Sequence, residues 1–239
     1  MSENTVPVRE MNVFSRLIGV FLSPGETFKA ISAKPGWLVA VLIVIALTIA
    51  FTTIIKPVMD KETAIKQQEM MEKQGMDQAE IDRITESMQG KGGMMAVFKY
   101  GGIIVWTFAV MSIISLVWMF LTKFIIGSDV TFSQMMALNA YTGIIPALGM
   151  LIKSPIVLSR GTMNVHFSIA TFLSDSMANS FIYKFLSQIE VFNIWSVALF
   201  CIGLSIMAKK DINKVVPVVV IAYAVFFLAS AGMQKVFGF

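Results

Sequence analysis

The chain has 239 residues, 56% of them hydrophobic and only 14% charged, with a formal charge of +4 and a mean hydropathy of +0.75. A soluble domain carries about a quarter charged residues, so an ordinary water-soluble core is excluded. The basic excess is scattered without a dense run, which fits lipid headgroups and not nucleic acid. A single cysteine, Cys201, and a single histidine, His166, exclude an intrachain disulfide, a cysteine-rich metal site and a multi-histidine site.

Residues 1–10 are polar, and the apolar stretch after them is interrupted by Asn12, Ser15, Arg16 and Gly19. No cleavable signal is expected, and the first true span is expected to act as a retained signal anchor. The four interrupting residues follow i, i+3, i+4, i+7 spacing, which gathers them on one narrow helical stripe. A helix over 11–22 is predicted, lying in the interface or on the bundle, with Arg16 reaching lipid headgroups. Ser23-Pro24-Gly25-Glu26 predicts a second helix, capped by Ser23, with Glu26 bonding back to the cap. Residues 1–36 are therefore expected to form N-terminal interfacial helices, and Trp37 to open the first span at interfacial depth.

Five segments are apolar and uncharged at their centres: 37–55, 97–126, 131–152, 191–208 and 215–235. A helix of roughly twenty residues, rising about 1.5 Å each, matches a hydrocarbon core of about 30 Å. The predicted fold is an all-α polytopic membrane protein with five transmembrane helices.

Between the first two spans, residues 56–96 are polar and predict an extramembrane helical hairpin. Glu62 with Lys66 and Glu69 with Lys73 are i, i+4 pairs in the favourable order. Gly75 stops the first helix, and Asp77 with Glu80 starts the second. Ile65, Met70, Ile81 and Ile84 give the hairpin an apolar side, for packing on itself or for docking a partner. In the second span Lys99 and Lys123 are placed to snorkel to opposite interfaces.

The third span opens on the capping box Thr131 to Gln134 and contains the most polar intramembrane set, Asn139, Tyr141, Thr142 and Pro146. Proline cannot donate a backbone bond, so Pro146 frees the carbonyl of Thr142 and predicts a kink. These four residues read as polar glue inside the bundle or as the lining of a path. Residues 153–190 read as a loop carrying an amphipathic helix, with Phe181, Ile182, Phe185, Leu186 and Ile189 on one face and Asp175 as its cap. His166 lies upstream with no visible triad around it. Trp195, Lys209 and Lys210 complete the interfacial anchors. The cations Lys209, Lys210 and Lys214 in the last turn place that turn in the cytoplasm, hence a cytoplasmic N-terminus and an external C-terminus.

Ser23 to Phe28 followed by Lys34-Pro35-Gly36-Trp37 resembles the opening of the Yip (Ypt/Rab-interacting protein) domain in its bacterial form. Gly127, Thr131-Phe132, Gln134, Tyr141 and Pro146 look like that family's third-span opening. Val191 to Trp195, Leu199 and Gly203-Leu204 are similar to its fourth-span signature. The resemblance implies five helices with a cytoplasmic N-terminus rather than a reaction. Eukaryotic members bind prenylated Rab-type GTPases and shape or sort vesicles, but their Asp-Leu-Tyr-Gly-Pro motif is absent here.

The leading functional reading is a non-enzymatic scaffold or accessory subunit of an envelope transport or export complex in a bacterial inner membrane. Lipid or small-solute permeation through Asn139, Tyr141, Thr142 and Pro146, or bilayer shaping, is the alternative, and GTPase binding is a second. An intramembrane enzyme needs paired acids, Ser with His, or a metal site, and no span carries one, so no catalytic, cofactor or metal residue is assigned. The expected partners are membrane lipids and another membrane protein or transport complex. Small residues around Gly203 also suit contact between copies of the chain.

Overall fold

The computed structural model describes residues 10–89, 92–174, 177–178 and 180–237. In chain order the helices are α1 Val13–Leu22, α2 Pro24–Ala33, α3 Leu38–Ile54, α4 Lys56–Lys73, α5 Gln78–Gln89, α6 Gly92–Leu121, α7 Phe132–Arg160, α8 Phe181–Gln188, α9 Val191–Ala208 and α10 Ile212–Phe237. A π-turn, Thr122–Ile126, extends α6, and a 3-10 turn, Ile169–Phe172, precedes α8. The chain is an all-α polytopic membrane protein. Four helices are long and apolar enough to cross a membrane, with a fifth when α3 and α4 count as one bent span.

Local chemistry sets the boundaries. Asn12 starts α1 by accepting from the Ser15 amide at 2.8 Å, a capping role in place of the headgroup stripe expected for it. Ser23 makes no side-chain cap bond to α2, and Glu26 pairs with Lys29 instead. α3 breaks at Ile55, where the chain turns by 70° into α4. Pro57 sits in the first turn of α4 and has no N–H to continue the ladder. Gly75, Gly127 and Gly161 take left-handed φ of 82°, 69° and 65° just beyond helix ends, where a side chain would be strained. Asp77 accepts from the Glu80 amide at 2.8 Å. Ser180 caps α8 through the Tyr183 amide, whereas Asp175, the expected cap, lies outside the described residues.

α7 is the axis of the bundle. Met135 to Ala140 are an unbroken buried run apart from Asn139, and 67% of its apolar window is buried, against 17% for α6 and for α10. α7 therefore packs on protein over most of its surface, while α6 and α10 turn their apolar surface outward, with Trp106 and Val105 exposed. Burial on several sides requires α7 to match its side chains to more than one neighbouring helix.

Hydrogen bonds across the bundle sort its loops onto two ends. At the first end the Ser128 hydroxyl donates to Ala208 O at 2.7 Å, Ser133 to Pro35 O at 3.3 Å, and the Gln134 amide to Ser32 O at 3.0 Å. At the second end the Lys184 ammonium donates to Gln234 O at 2.6 Å and the Gln188 amide to Phe227 O at 3.1 Å. There too, Glu62 of α4 accepts from the Thr162 hydroxyl at 2.9 Å and the Met163 amide at 2.7 Å. Hence α3, α7 and α10 run from the first end to the second, and α6 and α9 return.

Three expectations are corrected. Arg16 does not reach headgroups; it is buried, 6% exposed, and donates to Met11 O at 3.0 Å and Lys34 O at 2.7 Å. Two of the stripe's four residues, Arg16 and Gly19, face the protein, and the two backbone carbonyls satisfy the guanidinium there. Glu62 does not pair with Lys66, since the residue 162–163 turn takes its carboxylate. α7 does not stop at residue 152 but continues to Arg160, because Lys153 is neutralised where it stands (below).

Candidate functional site

The motifs that are far apart in the chain meet at the first end. α2 buries one face against the bundle, with Thr27, Phe28, Ala30 and Ile31 buried. Phe28 enters a notch at Gly203, where a Cβ would come within 3.0 Å of its ring and 2.3 Å of Leu138. Glycine is required there by close approach, so α2, α7 and α9 interlock through one missing side chain. The α1–α2 connection is held the same way, a Cβ on Gly19 falling 2.3 Å from the Thr27 hydroxyl. The Tyr141 ring is fully buried and its hydroxyl donates to Gly36 O at 3.4 Å. Trp195 takes Phe21 edge-on at 5.5 Å, and Trp37 packs on Phe108 at 6.1 Å, so both rings serve packing between helices as well as any interfacial depth.

The polar set of α7 does not converge. Asn139 donates to the Ser115 hydroxyl of α6 at 2.9 Å, and Ser115 passes its own proton to Met111 O at 2.7 Å. Tyr141 turns to Gly36. The Thr142 hydroxyl donates to Leu138 O at 2.8 Å. The Thr142 carbonyl, freed by Pro146, accepts from the Ser196 hydroxyl of α9 at 3.0 Å. An unsatisfied carbonyl at this depth costs about 1–3 kcal/mol, and Ser196 removes that cost while tying α9 to α7. Pro155 repeats the device, the Ser154 hydroxyl taking Leu151 O at 2.7 Å. α7 stays one helix through both prolines. Asn139, the Tyr141 hydroxyl and the Thr142 carbonyl thus bond to three different neighbours and tie α7 to each.

The remaining anchors are paired or exposed. Lys99 lies 4.0 Å from Asp60, and Lys123 3.1 Å from Asp129 at the other end of α6. Lys56 also pairs with Asp60, whose hydrogen bond and charge hold the Lys56 ammonium above its usual range. Lys209 turns the chain in a left-handed conformation, φ 52°, and Lys210 donates its backbone N–H to Ser205 O at 3.1 Å. On the hairpin, Ile65 and Met70 are exposed, Ile81 is buried and Ile84 half-buried, so the four do not share one open face.

A partly buried ion cluster stands at the second end. Lys153 of α7 donates to both carboxylate oxygens of Glu190, at 2.9 and 2.8 Å, and Glu190 immediately precedes α9. The two side chains are 14% and 11% exposed. His166 Nδ1 lies 3.5 Å from Glu190 Oε1, its Nε2 2.9 Å from Asn164 Oδ1, and the Tyr183 hydroxyl donates to that same oxygen at 3.2 Å. Burial pushes the Glu190 carboxyl up, but the His166 and Lys153 hydrogen bonds and charges outweigh it and hold the group below the usual carboxylate range. Among the described residues no group of three or more His, Cys, Asp or Glu is placed to hold a metal ion.

A family model described as the Yip1 domain matches residues 18–233. The chain belongs to the Yip1 domain family. The match begins within α1 and ends within α10, so the N-terminal interlock, the α7 ties and the ion cluster all lie inside the Yip1 domain. Membrane protein YknW of Bacillus subtilis is 27% identical over 188 residues, which cover 79% of this chain and 76% of that protein. No solved structure matches the chain.

Sequence reasoning about this Yip1 domain finds α2, Tyr141 and Gly203 through their motifs but misses the Lys153–Glu190–His166 cluster. Its members are separated by 13 and 24 positions, and no local spacing links them. The available signal was a lysine next to an apolar run with a lone glutamate just before another, two charges that need each other at the same depth.

Proposed function

We propose that this Yip1-domain protein is a non-enzymatic scaffold or accessory subunit of an envelope transport or export complex. It sits in a bacterial cytoplasmic membrane with its N-terminus inside and the α4–α5 hairpin outside. The observation that carries the reading is how α4 is held. It leaves the bundle at 70°, and Glu62 fixes its root to the residue 162–163 turn. An arm so braced presents Ile65, Met70 and several lysines in a defined direction at no ordering cost on binding. Inside the bundle the polar groups of α7 are spent on neighbouring helices, which supports a structural role over a permeation path.

The test is purification of the tagged protein from its own membranes in mild detergent, with crosslinking in the membrane and mass spectrometry. The expected result is a stoichiometric envelope or transport complex crosslinked through Lys61, Lys66 or Lys73, and its loss on deletion of residues 60–89. A deletion variant that folds and keeps every partner contradicts the reading.

A further inference from the structure

Both ring nitrogens of His166 face oxygen acceptors, Nε2 that of Asn164 and Nδ1 that of Glu190. A neutral imidazole has one N–H, so it donates to one oxygen and aims a lone pair at the other. An imidazolium donates to both. The Tyr183 hydroxyl donates to Asn164 Oδ1 as well, which keeps the amide oxygen turned towards the ring. Nε2 is at hydrogen-bond distance from Asn164 and Nδ1 at ion-pair distance from Glu190, so only the imidazolium can serve both acceptors at once.

We infer that His166 is a proton-operated latch, which ties the strap of residues 163–173 to the root of α9 when protonated and releases it when neutral. The strap meets α9 through the Val191 amide donating to Phe167 O at 3.2 Å and through an antiparallel bridge between Ser168 and Glu190. Thr171 donates to the His166 carbonyl and closes the turn. Every element around the ring contributes a group that bears on its charge. Glu190 comes from the start of α9, Lys153 from α7, and Tyr183 from α8 with its ring edge-on at 5.9 Å. Glu62 of α4 grips the strap two residues before Asn164.

Lys153 holds both Glu190 oxygens whatever the state of His166. Losing the histidine proton therefore removes one tie without stranding a buried charge, and the cluster goes from a net charge of about +1 to neutral. Release is local. Since Glu62 holds the strap from the other side, the latch lies between the hairpin arm and the bundle, and the arm's footing follows the charge of His166.

The experiment is amide hydrogen exchange on the full chain in lipid nanodiscs at pH 5.5 and pH 8.0, corrected for intrinsic exchange rates. The expected result is protection on the order of tenfold greater at pH 5.5 for amides in 165–172 and for Val191, as for loss of one hydrogen bond to a charged group. Amides at the centres of α7 and α9 should not change. His166→Gln, which keeps a hydrogen-bonding side chain without the titration, should be flat with pH, and His166→Asn serves as a second such variant. Equal protection of the wild-type strap at both pH values overturns the latch, as does a tenfold pH dependence surviving in a folded His166 variant.

Discussion

Replacing Phe28 with alanine should cost about 3–5 kcal/mol of stability, near the upper range for a buried aromatic ring. The ring is fully buried and fills the notch where α2, α7 and α9 meet. Gly203 beside the ring has no side chain with which to fill the space left behind. Phe28→Leu keeps most of the volume and should lose less than half as much. Gly203→Ala should be damaging in the native background and milder beside Phe28→Ala, because the added methyl and the displaced Leu138 then enter vacated space. Unfolding midpoints of the four proteins in mixed micelles read this coupling, and strict additivity would remove the interlock from the explanation.

Glu190→Gln should destabilise the protein by a similar amount, about 3–5 kcal/mol, because it leaves Lys153 buried without its anion. The double variant Lys153→Met with Glu190→Leu should recover most of that loss, since two apolar groups of similar size need no partner. The pH dependence carries a definite sign. Glu190 titrates lower in the folded chain than its ordinary value of 4.5. Its contribution is therefore complete above that value and is lost as pH falls through the lower, folded one. Acid unfolding curves should steepen as pH falls below 4.5 in the native protein, and Glu190→Gln should remove that part of the slope. A single variant as stable as the double one would mean that water solvates Lys153 and that the pair is not buried in effect.

Several features were legible in the chain because they are local. The five apolar segments, the Thr131–Gln134 capping box and the Asp77 cap each depend on residues within a few positions, and the structure forms both caps and a helix in each segment, four of those helices long and apolar enough to cross a membrane by themselves. Pro146 could be read as freeing the Thr142 carbonyl, but not that Ser196 would answer it from 54 residues away. Arg16 was misread because a narrow polar stripe looks the same whether it meets water or two buried carbonyls. Glu62 was assigned to Lys66 because i, i+4 geometry is visible in sequence, whereas the turn that claims it lies a hundred residues on. In each case the group's local chemistry was sound and its partner was tertiary.

The Phe28 interlock and the Glu190 cluster brace opposite ends of the same central helix. α7 carries Leu138 near its start and Lys153 in its second half, with α9 answering both through Gly203 and the residue just before it begins. The bundle is thus fastened at both ends around one buried span, and the hairpin arm is fastened to the second. Such a frame suits a part that holds a position in an assembly, and it predicts that α7 resists exchange longest.

The two-ended arrangement underlies every reading above, and sided labelling tests it most directly. Single cysteines replace Lys34, Asp129 and Asp211 at the first end, and Lys66, Glu69 and Thr171 at the second, all exposed positions, in a Cys201→Ala background. Cells are treated with a membrane-impermeant maleimide before and after permeabilisation. The predicted result is labelling of Lys66, Glu69 and Thr171 positions in intact cells and of the other three only after permeabilisation. Labelling of Asp129 and Lys66 positions from the same side would contradict the five-crossing bundle itself.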